Sequence, residues 1–199
     1  MKISVLNSNI NNLKSITKVI DYYDYDTLIV ETPNEILLAD KLIIPGISSF
    51  NHLINFIKSQ NLTDSLKEKI MIKKIPILAI CAGMQILAHS SEEGGESGLG
   101  IIEGKCKLIP SNKNFLIPHH GWNYLSKYEN NLELDYKSRF YFCHSYYLSI
   151  NDTTLVDKWC SYNISFPALI NYENITGTQF HPEKSLNDGM ELINNFCKK

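Results

Sequence analysis

The run Ile75 to Ile80 (IPILAI) has no polar side chain, and the chain passes from it into a helical pattern, Ala82 to Leu87, across the single residue Cys81. A strand that is apolar on both faces must be covered on both, the condition met by a parallel sheet between two helix layers. The chain before it repeats the same plan. Lys2 to Leu6, Thr27 to Val30 and Lys41 to Ile44 read as strands, the last stopped by Pro45-Gly46. Leu13, Ile16, Val19 and Ile20, then Phe50, Leu53, Ile54 and Ile57, recur at helical spacing, and Leu62 to Ile72 reads as a further helix. Strands alternating with helices predict an α/β fold with a doubly wound, mostly parallel sheet and helices on both faces.

Beyond residue 100 the character changes. Lys105 to Ile109, Phe115 to Pro118, Arg139 to Cys143, Ser165 to Asn171 and Ile175 to Phe180 are short β-like runs between polar turns, expected as antiparallel additions to the sheet. A last helix is expected from about Ser185, with Leu186, Met190, Ile193 and Phe196 on one face. No repeat or linker interrupts residues 1–199, so a single domain is expected.

Composition narrows the class of function. A formal net charge of -2 leaves no basic footprint for nucleic acid. The opening segment, Met1 to Ile10, fits neither a signal peptide nor a membrane span. Cys81, Cys106, Cys143, Cys160 and Cys197 lack C-x-x-C spacing, which speaks against a zinc site or disulfide framework and for a reducing, cytoplasmic setting without a metal or other cofactor.

The corner at Cys81 is the chemical signal. A strand, a sharp turn and a helix, with a nucleophile on the turn, is the geometry of a nucleophile elbow. Its small neighbours, Ala79, Ala82 and Gly83, let strand and helix pass closely. The helix N-terminus favours a thiolate and offers backbone donors to an oxyanion. Read alone, Cys81 fits equally well as a small buried residue at a strand end. A base further along the chain changes the balance. His181 ends the strand Ile175 to Phe180 in "GTQFHPEKS", and Pro182 biases it to an extended backbone. Glu183, two residues on, projects to the same side and can orient the imidazole. Cysteine, histidine and an acid in those roles compose a catalytic triad; a lone H-P-E is equally compatible with a solvated turn.

With "AICAGMQ", "GTQFHPEKS" and "IIPGISSF" in this order, the chain resembles the class I (triad) glutamine amidotransferases over essentially its whole length. The stretches "SSEEGGESGLGIIEGKCKLIP", "IPHHGWN", "FYFCHSYY" and "NNLKSI" look most like the glutaminase subunits of imidazole glycerol phosphate synthases. The resemblance implies that Cys81 attacks the carboxamide of L-glutamine, that His181 moves the protons, and that Glu183 orients His181. It implies oxyanion donors at the backbone N–H of Ala82 and of Ile47. Substrate binding falls to Gly46, Gly83, Gln85 and Glu93, with backbone from Ser145 and Tyr146. It further implies that ammonia passes to a (β/α)8-barrel cyclase or synthase partner in a heterodimer, docked against Trp122, Asn123, Tyr141 and Lys184. A packed loop is the competing account of Trp122-Asn123.

Three positions depart from the family pattern. Ala79 stands where glycine is usual, Ser48 replaces a glycine of the oxyanion turn, and "NSNINNLKSI" lacks the glycine of the segment that faces the cyclase. These departures admit a diverged paralogue serving a barrel synthase of surface-polysaccharide sugars. A stand-alone γ-glutamyl hydrolase shares the fold and triad, and a non-enzymatic interaction subunit is the third class.

Overall fold

The computed structural model describes residues 2–9, 13–129 and 134–199. The "NNLKSI" stretch therefore lies partly outside the described residues. Strands β1 (Lys2–Leu6), β2 (Asp26–Val30), β3 (Leu42–Ile44) and β4 (Ile77–Ile80) form from the expected apolar runs. Helices α1 (Leu13–Tyr22), α2 (Pro33–Leu37), α3 (Phe50–Ser59) and α4 (Thr63–Lys67) separate them, and α5 (Ala82–Gln85) follows β4 through Cys81 alone. Helix α2 was not anticipated by apolar spacing. It starts instead from local chemistry: Thr32 and Glu35 cap each other's backbone, and Pro33 occupies the first turn, where no N–H partner is needed. The helix expected from Leu62 to Ile72 is α4 followed by a π-helical turn, Glu68–Ile72.

The second half supplies β5 (Ser90–Ser91), β6 (Gly104–Leu108), β7 (His119–Ser126), β8 (Leu134–His144), β9 (Tyr146–Ile150), β10 (Val156–Tyr162), β11 (Ile164–Tyr172), β12 (Ile175–Thr178) and α6 (Leu186–Lys198). A nine-stranded sheet has the order β2-β1-β3-β4-β12-β11-β10-β7-β8, and β5-β6-β9 form a second, small sheet. Pairing is parallel from β2 to β12 and antiparallel from β12 to β8. The sheet is thus divided between the two modes rather than mostly parallel. Phe115 to Pro118 forms no strand: the Asn112 side chain accepts from the N–H groups of Asn114 and Phe115 and folds the segment into a local turn. Leu186 leaves the expected face of α6, being 69% exposed at a backbone φ of 51°.

Period-two alternation sorts the parallel strands into two cores. Ile43, Leu78 and Ile80 face one side, where Ile16, Val19 and Ile20 of α1 and Ile193 and Phe196 of α6 cover them. Leu42, Ile44, Ile77 and Ala79 face the other, against Phe50, Leu53, Ile54 and Ile57 of α3. Both layers press on β3 and β4, so the carboxyl ends of these strands are held from two sides.

Candidate active site

Cys81 sits at the carboxyl end of β4 with φ 53° and ψ -112°, a conformation that L-residues rarely adopt. The surroundings enforce it. Its N–H donates to the Thr178 carbonyl at 2.6 Å, and its own carbonyl accepts from Met84 and Gln85 in α5. A Cβ on Gly83 would stand 1.9 Å from the Ile44 carbonyl oxygen, and one on Gly46 would stand 2.4 Å from the Gly83 nitrogen. The elbow exists because two glycines let β3, the Pro45-Gly46 turn and α5 touch through backbone. Gly46 and Gly83, expected to bind substrate, are in close backbone contact with Gly83 and Ala82 and with Ile44, respectively.

His181 follows β12, and its N–H donates to the Tyr141 carbonyl of β8 at 2.8 Å. Ser185 locks the loop: its hydroxyl donates to the His181 carbonyl at 2.6 Å and accepts from the Tyr141 N–H at 3.0 Å. His181 Nδ1 meets Glu183 Oε1 at 2.9 Å, with both side chains 2% exposed. Burial disfavours the imidazolium, but the Cys81 sulfur and the Glu183 carboxylate outweigh it and hold the imidazole up to about 10. The three residues singled out from sequence are brought together. The remaining cysteines are unbridged. Burial pushes Cys106 and Cys160 well up and Cys197 to about 11.

A cavity of about 190 Å³ opens at the sulfur, lined by Cys81, Gln85, Glu93, His144, Ser145 and Tyr146 and by the Ile47–Ser49 turn. A larger cavity, about 340 Å³ between α6 and β8, contains none of the triad. Chemistry, not size, selects the site. One oxygen of Glu93 accepts from the Phe50 N–H at 2.5 Å, which fixes the carboxylate at the cavity wall. The Ala82 N–H, at the start of α5, donates to the Gly46 carbonyl at 3.3 Å. Because a trans peptide sets N–H opposite C=O, that carbonyl turns the Ile47 N–H away from Ala82.

Residues 2–199 match the family model described as glutamine amidotransferase class-I. The chain belongs to that family. Among its relatives in the family, the "Imidazole glycerol phosphate synthase subunit HisH" of Leptospira interrogans is 40% identical over 201 residues, covering 98% of both chains. The "Imidazole glycerol phosphate synthase subunit HisH 2" of Methanococcus maripaludis is 40% identical over 200 residues, covering 99% of both. A solved glutamine amidotransferase superposes with a TM-score of 0.73 at 14% identity, over 98% of this chain and 97% of that one, and so shares the fold.

Class-I glutamine amidotransferase motifs led to most of the site, yet three buried side chains around it, Gln179, His144 and His119, were not singled out. Gln179, fully buried, donates through Nε2 to Cys81 Sγ at 3.6 Å. His144 lines the cavity and donates through Nδ1 to the Tyr146 carbonyl at 2.8 Å. That leaves Nε2 of His144 as acceptor for His119 Nδ1 at 3.2 Å. Burial lowers His144 to about 3 and His119 to about 4, so both rings are neutral. Gln179 lies just past the end of β12, in the bend that leads to His181, and its role shows only through Cys81 and Gln85, which are distant in sequence.

The residues expected at a partner interface divide between two faces. Trp122 is 42% exposed and lies beside Tyr141, ring centroids 5.9 Å apart, with Lys184 Nζ 5.7 Å from the Tyr141 ring. Asn123 points the other way, donating to the Ser161 carbonyl at 3.0 Å and approaching His119. Neighbours on a strand face opposite sides, so Asn123 does not share the Trp122 face.

Proposed function

We propose that this chain is the glutaminase subunit of an imidazole glycerol phosphate synthase, a single domain over 1–199 that hydrolyses L-glutamine to L-glutamate and ammonia. The observation that carries the reading is the strained Cys81 at a helix N-terminus with the buried His181–Glu183 pair beside it. The relatives from Leptospira interrogans and Methanococcus maripaludis, both named as HisH subunits, support the pathway.

In this reading the Cys81 thiolate adds to the carboxamide carbon of glutamine. The oxygen becomes an oxyanion, the C–N bond breaks, and His181 gives its proton to the departing nitrogen, leaving ammonia and a glutamyl thioester. Neutral His181 then takes a proton from water, whose oxygen adds to the thioester and displaces the thiolate. Glu183 holds Nδ1 so that Nε2 faces the reacting atoms. Glu93 accepts from the substrate's ammonium, Gln85 contacts the same end, and backbone around Ser145 and Tyr146 receives its carboxylate.

One step is not ready. The Gly46 carbonyl occupies the Ala82 N–H that the oxyanion needs. Rotating the Gly46–Ile47 peptide frees Ala82 and turns the Ile47 N–H inward, and Ser48, next in the turn, resists that rotation more than glycine does. Lost oxyanion donors typically cost about 10²–10³ in turnover, so the isolated chain is a poor glutaminase until a partner moves the turn. That partner is a (β/α)8-barrel cyclase docked on the Trp122–Tyr141 face, in the cytoplasm. No helix among the described residues is long and apolar enough to cross a membrane.

The test measures glutamate release by the chain alone, with a histidine-pathway cyclase, and with a barrel synthase of glycan sugars. Stimulation by the first alone supports the reading; stimulation by the second alone moves the chain to the diverged paralogue. Strong release with neither favours the stand-alone hydrolase. Cys81→Ala should abolish release while the holoenzyme still uses supplied ammonia.

A further inference from the structure

The side chain of Gln179 has no part in the chemistry described so far, yet its amide is fully buried and both of its ends are engaged in the site. Its orientation can be derived from a backbone group of fixed identity. The Tyr146 carbonyl only accepts, and it receives two donors, His144 Nδ1 at 2.8 Å and Gln85 at 2.7 Å. The end of Gln85 that meets it must therefore be the Nε2 amino group. The second hydrogen of that group goes to Gln179 at 3.0 Å, so the Gln179 end that receives it must be Oε1. Gln179 Nε2 is then left facing Cys81 Sγ at 3.6 Å. Reversing either amide would set two donors or two acceptors against each other in a buried space, at the cost of an unpaired polar group.

We propose that Gln179 is a further catalytic residue, a neutral donor that holds the Cys81 thiolate, with its polarity fixed through Gln85 by the Tyr146 carbonyl. The geometry distinguishes the two forms of the sulfur. A neutral thiol has an acceptor in the Cys143 carbonyl, 3.9 Å from Sγ. A thiolate cannot donate there, and accepts instead from Gln179 and from His181. His181 must leave the sulfur to protonate the departing nitrogen; Gln179 needs no proton transfer and can stay. The Gln85 amino group is fully used by Tyr146 and Gln179, so its Oε1 is the end left to meet a ligand in the cavity that Gln85 lines. Substrate that draws on Oε1 thus pulls on the same chain of bonds that ends at the nucleophile.

This proposal rests on Cys81 as the nucleophile, and the experiment keeps the two separable by reading the sulfur directly. The full-length chain is alkylated with iodoacetamide over a range of pH, and the Cys81 peptide is followed by mass spectrometry apart from exposed Cys143. Gln179→Met keeps the volume and removes the donor. A hydrogen bond to a charged group stabilises by enough to change a population about tenfold or more, so Cys81 alkylation should slow about tenfold near neutral pH and rejoin the parent at alkaline pH. Gln179→Glu, which replaces the donor by a negative acceptor, should slow it further. With partner and glutamine, kcat should fall while KM stays near the parent value. A Gln179→Met profile that superposes on the parent's overturns the proposal. Slowing by one factor at every pH also overturns it, in favour of packing alone. If Gln179→Met fails to fold, Gln85→Met releases the orientation while leaving Gln179 in place, and an unchanged alkylation profile there is equally fatal. Glutamate release retained by Cys81→Ala would instead remove the nucleophile assignment, whatever the alkylation shows.

Discussion

Around β3 and β4 the packing is aliphatic and two-sided, with Ile43, Leu78 and Ile80 under α1 and α6 and Leu42, Ile44 and Ile77 under α3. Around β8, β10 and β11 it is aromatic: Phe140, Phe142, Phe166 and Phe180 form the cluster, and His119 stacks between Phe142 and Tyr162. The β7–β8 pair also presents an outer face bearing Trp122 and Tyr141. The strands of the first region are covered on both sides, and that two-sided packing holds the strained backbone of Cys81 at the end of β4. The second gives one face to the core and one to the exterior, and the Tyr141 carbonyl of β8 accepts from the His181 N–H. Two-sided burial and an open outer face thus belong to different modes of strand pairing, and Cys81, His181 and Glu183 lie where the two modes meet.

The largest effect should appear at that seam. On the roles proposed, His181→Ala removes the proton carrier of both half-reactions, whereas Glu183→Gln removes only the charge that orients it. A general acid–base group contributes roughly 10²–10⁴-fold; His181→Ala should lose that much in kcat of the partnered enzyme, and Glu183→Gln distinctly less. Steady-state glutamate release checks the ranking, and the opposite ranking would mean the two roles are misassigned.

Two glycines test the difference in packing. An alanine at Gly83 must displace the Ile44 backbone, whereas at Gly121 of β7 it meets nothing within 4 Å and bears only the strain of φ 132°. Overpacking a close-packed interior costs typically about 1–3 kcal/mol, and an incompatible positive φ about 1 kcal/mol. Urea midpoints should therefore fall further for Gly83→Ala than for Gly121→Ala. Equal losses would mean that the parallel region yields as readily as the antiparallel one.

The two faces of β7 separate by adjacent residues. Trp122→Ala should weaken stimulation by the partner with little change in thermal midpoint, as expected of an aromatic anchor at an interface. Asn123→Ala should do the reverse, since it deprives the Ser161 carbonyl and His119 of a donor. Titrating partner into each variant and melting each alone reads both quantities.

The same contrast explains what was legible in the sequence. In the parallel region, burial on both faces writes continuous apolar runs, and β1 to β4 were found where the runs lie. In the antiparallel region one face is polar, and "HHGWNYLS" and "VDKWCSY" carry aromatic and charged residues that break the pattern, so β7 and β10 went unread. Cys81, His181 and Glu183 were legible because their chemistry needs fixed local spacing. Gln179 and the His119–His144 pair gain meaning only from partners distant in sequence. Gly83 was expected to bind substrate; the distance from a Cβ there to the Ile44 carbonyl oxygen adds a packing role that the sequence does not show.

The smallest effect concerns acid. Burial depresses His119 to about 4 and His144 to about 3, with His119 and His181 adding repulsion at His144, whereas unfolded histidines titrate near 6.5. Between these values the unfolded chain binds more protons than the folded one, so stability rises with pH there. The contribution of the pair is complete above about 6.5 and is lost as pH falls towards 4 and then 3. At about pH 6 the loss is on the order of 1 kcal/mol. Both rings lie on the antiparallel side, whereas His52 and His89, before β5, are exposed. Trp122 and Trp159 lie on β7 and β10, so tryptophan fluorescence reports that side, while circular dichroism averages the molecule. On acidification the fluorescence transition should precede the circular dichroism transition. His119→Gln, which can still donate to His144 without titrating, should flatten the dependence. Coincident transitions with an unchanged slope in His119→Gln would place the acid sensitivity elsewhere and make the two regions one cooperative unit.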